Sequence, residues 1–326
     1  MNDVMFNEIN KAHARIKSFI VKTPLITSEI INKQTNSNVF FKLENLQSTG
    51  SFKIRGASNK ILLLNNEEKK RGVVAYSSGN HAQAVAYASK LKNINATIIM
   101  PRNAPLIKIK NTKEYGAKVF LYDPEKESRE EIALNISKKE NKIIIKPYDD
   151  LDIIAGQGTI GKEIYEELKA INIEPDIYLC CCGGGGLIAG SSSYLKHIYP
   201  KLKNYSVEPD DFNDTQISLE KNLIVSNSTS SKSICDALLA KKPGEITFSI
   251  NKKNLDRGLS VSDTEVMKTI IELSEKMKII VEPGGAVAAA ALLNKKIDIE
   301  NKNVVVIISG GNIDLTLFNL IISKQI

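Results

Sequence analysis

The residue of this chain best suited to covalent chemistry is Lys53. It lies in segment 48–56, STGSFKIRG, directly after Phe52 and a turn of small hydroxylated residues. A lysine in such a turn can end a strand–turn–helix connection and project alone into a cleft. Its amine could bond to a carbonyl carbon or act as a general base. Taken alone, the segment could also be an ordinary solvated loop.

A second informative segment is a run of glycines that follows the strand-like residues 177–182. It consists of Gly183, Gly184, Gly185 and Gly186, and it ends at Leu187. Glycines let the backbone approach an anion closely, and a following helix would direct free N–H groups at that anion. No lysine follows as in a Walker A loop, and no register matches G-x-G-x-x-G, so one phosphate fits better than a nucleotide. The alternative is a tight strand-to-helix turn.

Two further segments combine hydroxyl, amide and glycine residues. Segment 77–83, SSGNHAQ, lies between a strand-like run and an Ala-rich helix, where its hydroxyls and N–H groups could hold a carboxylate. A helix cap without further function is the alternative. Segment 309–312, SGGN, ends the last apolar strand and could be only a tight turn. Its other interpretation places the Ser309 hydroxyl beside a cofactor ring.

Together, these four segments predict a site for pyridoxal 5′-phosphate (PLP). Lys53 would carry the cofactor as a Schiff base, and the glycine run would hold its phosphate. Segment 77–83, called the cradle below, would hold a substrate carboxylate. A neutral Ser309 hydroxyl opposite the pyridine nitrogen would leave that nitrogen unprotonated. This choice tempers how strongly the ring withdraws electrons.

The composition is that of an ordinary globular protein. The 326 residues are 42% hydrophobic and 25% charged, enough for a large core or two subdomains. The net charge of +7 comes from dispersed lysines without interleaved aromatic residues, so we expect no nucleic-acid partner. The cysteine usage, the polar N-terminus and the lack of a membrane-length apolar run predict a cytoplasmic protein without membrane association.

Apolar runs that resemble strands alternate with helical patterns along most of the chain. The predicted strands are residues 39–43, 72–76, 96–100, 118–121, 143–146, 177–182, 205–207 and 304–308. The predicted helices are residues 81–91, 107–115, 128–138, 156–170, 187–197, 263–276 and 285–294. Continuous Val- and Ile-rich strands that alternate with helices predict an α/β fold with mainly parallel sheets.

The ordered set of motifs resembles the fold type II PLP enzymes, specifically the serine/threonine dehydratases (threonine ammonia-lyases) and serine racemases. It also includes TPL at 23–25, MP at 100–101, AGQGTI at 155–160 and VEP at 281–283. The resemblance implies a tryptophan synthase beta-like fold whose two subdomains each contain a mainly parallel twisted sheet flanked by helices. Residues 1–71 and 151–326 would form the large PLP-binding domain, and residues 72–150 a small mobile domain.

The resemblance also implies roles for single residues. Lys53 matches the Schiff-base lysine, and Phe52 matches the residue packed near the cofactor ring. Asn80 matches the side chain that bonds the 3′-oxygen of PLP, Ser309 the partner of the pyridine nitrogen, and residues 183–187 the phosphate loop. Ser78 matches the serine that serves racemases as a second acid/base on the opposite face.

Substrate binding is expected at the cradle and at one arginine. The implied contacts are Ser77, Ser78, Gly79, Asn80 and His81. Arg129 matches an arginine that in some relatives faces a second carboxylate, and its alternative is a surface helix residue.

An acidic loop at 208–214, EPDDFND, could be solvated or could bind a hard cation. The resemblance favours the cation, because Glu208, Asp214 and the Phe212 carbonyl match the divalent-cation site of serine racemase. We expect Mg²⁺ or Ca²⁺, with Mn²⁺ as a further candidate.

The implied reaction is β-elimination from L-threonine or L-serine, which gives 2-oxobutanoate or pyruvate and ammonia, with Lys53 as the base at Cα. Serine racemisation and 3-hydroxyaspartate dehydration stay open, because Ser78 occurs in both racemases and dehydratases and Arg129 is available. Ala82, where racemases commonly have glycine, and segment 282–286, EPGGA, look more like dehydratases. A non-catalytic amino-acid sensor is the alternative from another class, and the intact lysine motif argues against it. We expect a homodimer.

Overall fold

The computed structural model describes residues 2–227 and 232–323. The strands in this part of the chain are β1 (Leu25–Thr27), β2 (Asn38–Leu43), β3 (Val73–Tyr76), β4 (Ala96–Pro101), β5 (Lys118–Tyr122), β6 (Ile143–Ile144), β7 (Ile177–Cys181), β8 (Lys203–Pro209), β9 (Arg257–Val261) and β10 (Asn303–Ile308).

The α-helices of the same ranges alternate with these strands. They are α1 (Asn2–Ile16), α2 (Glu29–Thr35), α3 (Lys53–Leu63), α4 (Asn66–Arg71), α5 (Asn80–Lys90), α6 (Leu106–Glu114), α7 (Arg129–Glu140), α8 (Leu151–Ala170), α9 (Gly186–Ile198), α10 (Asp214–Lys221), α11 (Glu245–Asn254), α12 (Asp263–Met277), α13 (Pro283–Leu293) and α14 (Leu315–Ile322). Short 3₁₀ turns span Glu44–Leu46, Asp210–Phe212 and Asp236–Leu238.

The strands form two sheets. The larger has the order β1-β2-β10-β7-β8-β9, and the smaller has the order β5-β4-β3-β6. Every pairing is parallel except that of β1 with β2, which is antiparallel. This arrangement confirms the predicted α/β fold with two mainly parallel sheets. The proposed boundaries of a large and a small mobile domain stay a prediction.

The core of the larger sheet explains why its central strands are continuously apolar. The side chains of β7 and β10 are buried on both faces, as expected for strands covered by helices on each side. Helix α13 is apolar around its whole circumference and packs into the same core. Its alanines let the helix approach the sheet closely.

Helix α3 joins the two halves of the molecule, which are the larger and the smaller sheet with the helices packed on each. Its Ile54, Ala57 and Ile61 pack into the core of the smaller sheet. Its opposite side meets α8 at a glycine pair, where a Cβ added to Gly156 would lie 2.6 Å from the Cα of Gly56. The two helices can approach this closely only because neither residue has a side chain. This contact fixes the start of α3, where Lys53 lies.

None of the helices in the described ranges combines the length and the apolarity needed to cross a bilayer. Cys180, Cys181, Cys182 and Cys235 are free and buried.

Candidate active site

A cavity of about 340 Å³ lies where the carboxyl ends of strands from both sheets meet. Ligands of open α/β sheets usually bind at such an edge. The cavity brings together all of the residues predicted to bind cofactor or substrate. They are Phe52, Lys53, Ser77, Ser78, Gly79, Asn80, His81, Arg129, Gly183, Gly184, Gly185, Gly186, Leu187 and Ser309. The predicted cation ligands lie elsewhere.

Lys53 is the first residue of α3. The N–H of Phe52, just before it, donates to the carbonyl of Ser309 at 3.1 Å, which ties the turn to the end of β10. The Lys53 Nζ donates to the carbonyl of Pro147 at 2.9 Å and lies 5.1 Å from the centroid of the Phe52 ring. Burial lowers the pKa of the Lys53 amine to about 8. A large fraction of the amine is therefore neutral at mildly alkaline pH, as a nucleophile or a general base requires.

A buried charge network holds the first turn of α3. The Arg55 guanidinium is fully buried and forms two hydrogen bonds to Glu44, at 2.7 and 2.8 Å. It forms two more to Glu163 of α8, also at 2.7 and 2.8 Å. Lys42 of β2 lies 2.9 Å from the same Glu163 carboxylate. Bidentate pairs fix both distance and plane, so α3 cannot rotate or slide without breaking them.

The glycine run connects β7 to α9 and has the form of an anion cradle. Gly185 has a φ of +90°, a conformation that favours glycine. The loop carbonyls point away from the cavity toward α11, since Thr247 donates to Gly184 at 2.7 Å and Asn251 donates to Gly185 at 3.3 Å. The first N–H groups of a helix have no intrahelical acceptor. A phosphate group fits this arrangement.

Asn80 and Ser309 both line this cavity. Ser309 is buried at the end of β10. The Asn80 oxygen accepts a hydrogen bond from Asn312 at 2.9 Å, and the Asn80 NH₂ donates to Glu282. These two partners determine which end of the amide is the donor. Asn80 therefore presents its remaining N–H in a defined direction.

The cradle segment occupies the turn between β3 and α5. The N–H of Gly79 donates to the Ser77 hydroxyl at 3.1 Å, and Ser78 lines the cavity. The His81 ring turns away to the carbonyl of Ile145, with Nε2 at 3.1 Å. Burial and the nearby Lys53 amine lower the pKa of His81 to about 3, so its ring is neutral. His81 supports the turn without offering charge to a substrate.

Arg129 begins α7 and faces the cavity. Its guanidinium lies 5.6 Å from the centroid of the Tyr76 ring, and its Nε lies 2.8 Å from Glu130. Arg129 therefore lies where it could contact a substrate, and it is only partly exposed.

Several lining residues were not anticipated from the sequence. They are Tyr76, Tyr122, Tyr148, Lys108 and Asp236. Burial raises the pKa of Tyr148 to about 12, so its hydroxyl keeps its proton. The position of Tyr148, just after the short strand β6, was the one signal that could have indicated it. The ring fills the space next to Gly184, where an added Cβ would lie 2.4 Å from it.

The acidic loop contains two carboxylates that are completely buried. Glu208 accepts from the N–H groups of Thr215 and Gln216 at 3.0 and 2.8 Å. Asp214 accepts from Asn227 at 2.5 Å, and its second oxygen is buried without a hydrogen-bond partner among the described residues. Burial raises the pKa of Asp214 to about 7, and burial and the Asp214 charge raise that of Glu208.

A cation bound by these two carboxylates would need a backbone oxygen as its third protein ligand. Within the described ranges, no group of three His, Cys, Asp or Glu side chains is placed to hold a metal ion. The unpartnered oxygen of Asp214 nevertheless fits a hard cation.

The chain is similar to known proteins over nearly its whole length. The chain is 43% identical to serine racemase of Schizosaccharomyces pombe, covering 98% of this chain and 97% of that protein. It is 40% identical to L-threonine ammonia-lyase of Thermotoga maritima, with coverage of 98% and 79%. It is also 40% identical to L-threo-3-hydroxyaspartate ammonia-lyase of Saccharomyces cerevisiae, with coverage of 98% and 97%.

A solved structure, maize serine racemase, superimposes with a TM-score of 0.91 at 35% identity, covering 98% of this chain and 97% of that one. Residues 16–310 match the family model described as "Pyridoxal-phosphate dependent enzyme". The chain therefore belongs to the pyridoxal-phosphate dependent enzymes, within the fold type II group that contains serine/threonine dehydratases and serine racemases.

Proposed function

We propose that this protein is a PLP-dependent ammonia-lyase that converts L-threonine to 2-oxobutanoate and L-serine to pyruvate. The observation that carries the proposal is that one cavity holds the Lys53 amine, with its lowered pKa, together with the glycine run at 183–186 and the turn at 77–80. Two relatives, each 40% identical over 98% of this chain, are ammonia-lyases that act on hydroxy amino acids. Water leaves on elimination and is taken up on hydrolysis, so the net products are a 2-oxo acid and ammonia.

The residues of the cavity fit PLP. The N–H groups of residues 183–187 would hold its phosphate, Asn80 its 3′-oxygen, and the Ser309 hydroxyl its pyridine nitrogen. Lys53 would hold its aldehyde carbon. The cofactor, when bound, supplies the electron sink that stabilises negative charge at the substrate Cα.

The protein's own groups then orient the substrate and move its proton. The turn at 77–80 lies at the N-terminus of α5, where N–H groups and the helix dipole favour a carboxylate. That contact directs the Cα proton toward Lys53, whose neutral Nζ accepts it. Phe52 and Tyr148 line the cavity, and their rings limit the access of water.

A second candidate substrate is L-threo-3-hydroxyaspartate, and the placement of Arg129 supports it. A guanidinium at the cavity wall could pair with the second carboxylate of this substrate. Threonine and serine have no group for such a pair. The choice between substrates is therefore measurable at this residue.

A substrate panel tests the proposal. We expect wild-type enzyme loaded with PLP to form 2-oxo acid and ammonia from L-threonine and L-serine, measured by coupled 2-oxo acid reduction. If L-threo-3-hydroxyaspartate is also used, Arg129→Gln should lower its kcat/KM roughly 10- to 150-fold. This range corresponds to the loss of one charge-assisted hydrogen bond of about 1.5–3 kcal/mol. The kcat/KM for threonine should change far less.

The matched control is Arg102→Gln, which removes the same charge from an exposed position outside the cavity. It should leave every substrate unaffected. No 2-oxo acid from any of the three amino acids, with PLP bound, would refute the ammonia-lyase proposal. A chiral assay of serine in the same experiment measures racemisation.

We also propose that Glu208, Asp214 and the Phe212 carbonyl bind Mg²⁺ or Ca²⁺, with Mn²⁺ as the further candidate. The folded-state pKa of Asp214, about 7, lies above its ordinary value. The stability linked to its proton is therefore complete below the ordinary value and is lost as the pH rises through 7. A cation would replace that proton.

Added Mg²⁺ or Ca²⁺ should therefore raise the melting temperature at pH 8 and hardly at pH 5. At about 100 times the Kd, the expected rise at pH 8 is on the order of 5 °C. Asp214→Asn should remove the response, whereas Asp211→Asn, at an exposed residue of the same loop, should keep it. Melting curves of wild-type protein that are insensitive to all three cations at pH 8 would show that the loop is only structural.

The homodimer and the cytoplasmic location remain predictions. A non-catalytic amino-acid sensor is the competing class, and it would require no covalent link at Lys53. A purified protein without a visible cofactor absorbance band would favour the sensor.

A further inference from the structure

Lys108 is a buried cation beside the cavity that the proposed chemistry does not use. It lies on α6, and its side chain is only 2% exposed. Its Nζ lies 2.7 Å from the Asp236 carboxylate and 3.1 Å from that of Glu282. Helix α6 packs beside the smaller sheet, whereas Glu282 precedes α13 in the core of the larger sheet. The ammonium therefore bridges the two halves of the molecule.

Two contacts connect Lys108 to the residues that face cofactor and substrate. The first runs through Glu282, whose other carboxylate oxygen accepts a hydrogen bond from the Asn80 NH₂. The second is direct packing on the cradle turn. A Cβ added to Gly79 would lie 2.4 Å from Cδ of Lys108, so the aliphatic chain lies against the backbone of that turn.

The charge on Glu282 and the donated N–H of Asn312 together determine the orientation of the Asn80 amide. An ionised carboxylate can only accept hydrogen bonds, so it requires the NH₂ end of Asn80. A protonated carboxyl could donate instead, and only the hydrogen bond from Asn312 would then hold the amide in this orientation. Glu282 is nearly inaccessible, and its own N–H donates to the Gly310 carbonyl at 3.1 Å, so it cannot swing into solvent. Burial raises the pKa of the Glu282 carboxyl, and the Lys108 ammonium opposes that rise. The ionised form therefore depends on this buried cation.

We propose that Lys108 is a positioning residue of the active site, which keeps Glu282 ionised so that Asn80 is fixed as a donor toward the cofactor. Its aliphatic chain also packs against the backbone of the turn at Gly79 and supports it. Because Lys108 and Glu282 come from different halves of the molecule, the pair also couples the position of the cradle to the cofactor site. This inference rests on the proposed PLP-dependent elimination.

The test is Lys108→Met, which keeps most of the packing on Gly79 and removes the charge. The kcat/KM for L-threonine should fall on the order of 100-fold, the loss typical of misplaced reacting groups. Visible circular dichroism per mole of bound PLP should fall as well, because it reports how rigidly the cofactor is held. In the apoprotein, amide hydrogen exchange of residues 77–83 should accelerate about tenfold.

Lys110→Met is the matched control on the same helix. Its ammonium is exposed and lies 3.8 Å from Glu114, so its removal should change none of these measurements. If Lys108→Met retains wild-type kcat/KM, circular dichroism and exchange, the proposal is wrong.

A second variant covers the case in which Lys108→Met does not fold. Lys108→Met with Glu282→Gln removes the uncompensated carboxylate and should restore the melting temperature to near wild type. It should still show fast exchange at 77–83 and a low kcat/KM. Wild-type kcat/KM in this double variant would overturn the proposal. If the wild-type enzyme makes no 2-oxo acid, the proposed function fails, but the apoprotein exchange comparison still tests the role of Lys108.

Discussion

Lys53→Ala is expected to abolish the visible absorbance of bound PLP and to lower 2-oxo acid formation from L-threonine by roughly 10⁴-fold. The replaced amine is both the group that would attach the cofactor and the base that would take the Cα proton. The fold should persist, because the buried Arg55 pairs with Glu44 and Glu163 hold α3 independently of Lys53. Absorbance spectra, far-UV circular dichroism and a coupled assay measure the three effects.

The control for this variant is Lys60→Ala, two turns further along α3. Lys60 is half-buried, pairs with Asp150 and Asp152, and does not line the cavity, so its loss should leave the absorbance band in place. A pH series adds an independent measurement. Cofactor attachment to wild-type apoprotein should accelerate as the pH rises and level off above about 8, the pKa of Lys53. Substantial turnover by Lys53→Ala without added amine would contradict the assignment.

Ser78→Ala is expected to separate elimination from racemisation. Elimination needs one base, Lys53, on one face of the substrate, whereas racemisation also needs a proton delivered from the other face. Any interconversion of L- and D-serine should fall by about 10²- to 10⁴-fold, the usual contribution of one acid/base group. Formation of 2-oxo acid from the L-enantiomer should be retained within about tenfold. Chiral chromatography and the coupled assay measure the two rates on one sample.

Ser77→Ala is the matched control, because Ser77 accepts from the Gly79 N–H and shapes the same turn. It should lower both rates in parallel through weaker substrate binding. Equal losses of elimination and racemisation in Ser78→Ala would show that Ser78 only positions the substrate. A wild-type enzyme that racemises serine faster than it eliminates water would replace the ammonia-lyase proposal with a racemase.

The strands and loops of the site were predictable because they depend on local requirements. Strands that are buried on both faces need continuous apolar residues, as in β7 and β10. The eight predicted strands correspond to β2–β8 and β10, although β5 is mostly exposed. The glycine run at 183–186 was recognisable because a tight turn requires glycine in any context, as the φ of +90° at Gly185 illustrates. The segment predicted at 143–146 is shorter in the structure, where β6 spans Ile143–Ile144.

Several of the elements that were missed carry weak local signals. Strand β1 has three residues, and β9, RGLSV, contains a glycine and a polar residue, so neither resembles a buried strand. Helix α3 begins with no capping side chain, and half of its interior is polar. Its helical form depends on the packing of Ile54, Ala57 and Ile61 and on the Arg55 pairs, which are tertiary contacts.

The sequence by itself determined the fold class, and it indicated Lys53 and the glycine run as candidate site residues, since each inference follows from residue types at short spacing. Only the tertiary structure decided the environment of that lysine and the orientation of Asn80. The partners that set them are far apart in the chain: Arg55 meets Glu163 across 108 residues, and Lys108 meets Glu282 across 174. Hydrophobic periodicity reports which face of an element is buried, but not which distant side chain it meets. Burial and charge pairing between distant elements therefore set the chemistry of the site.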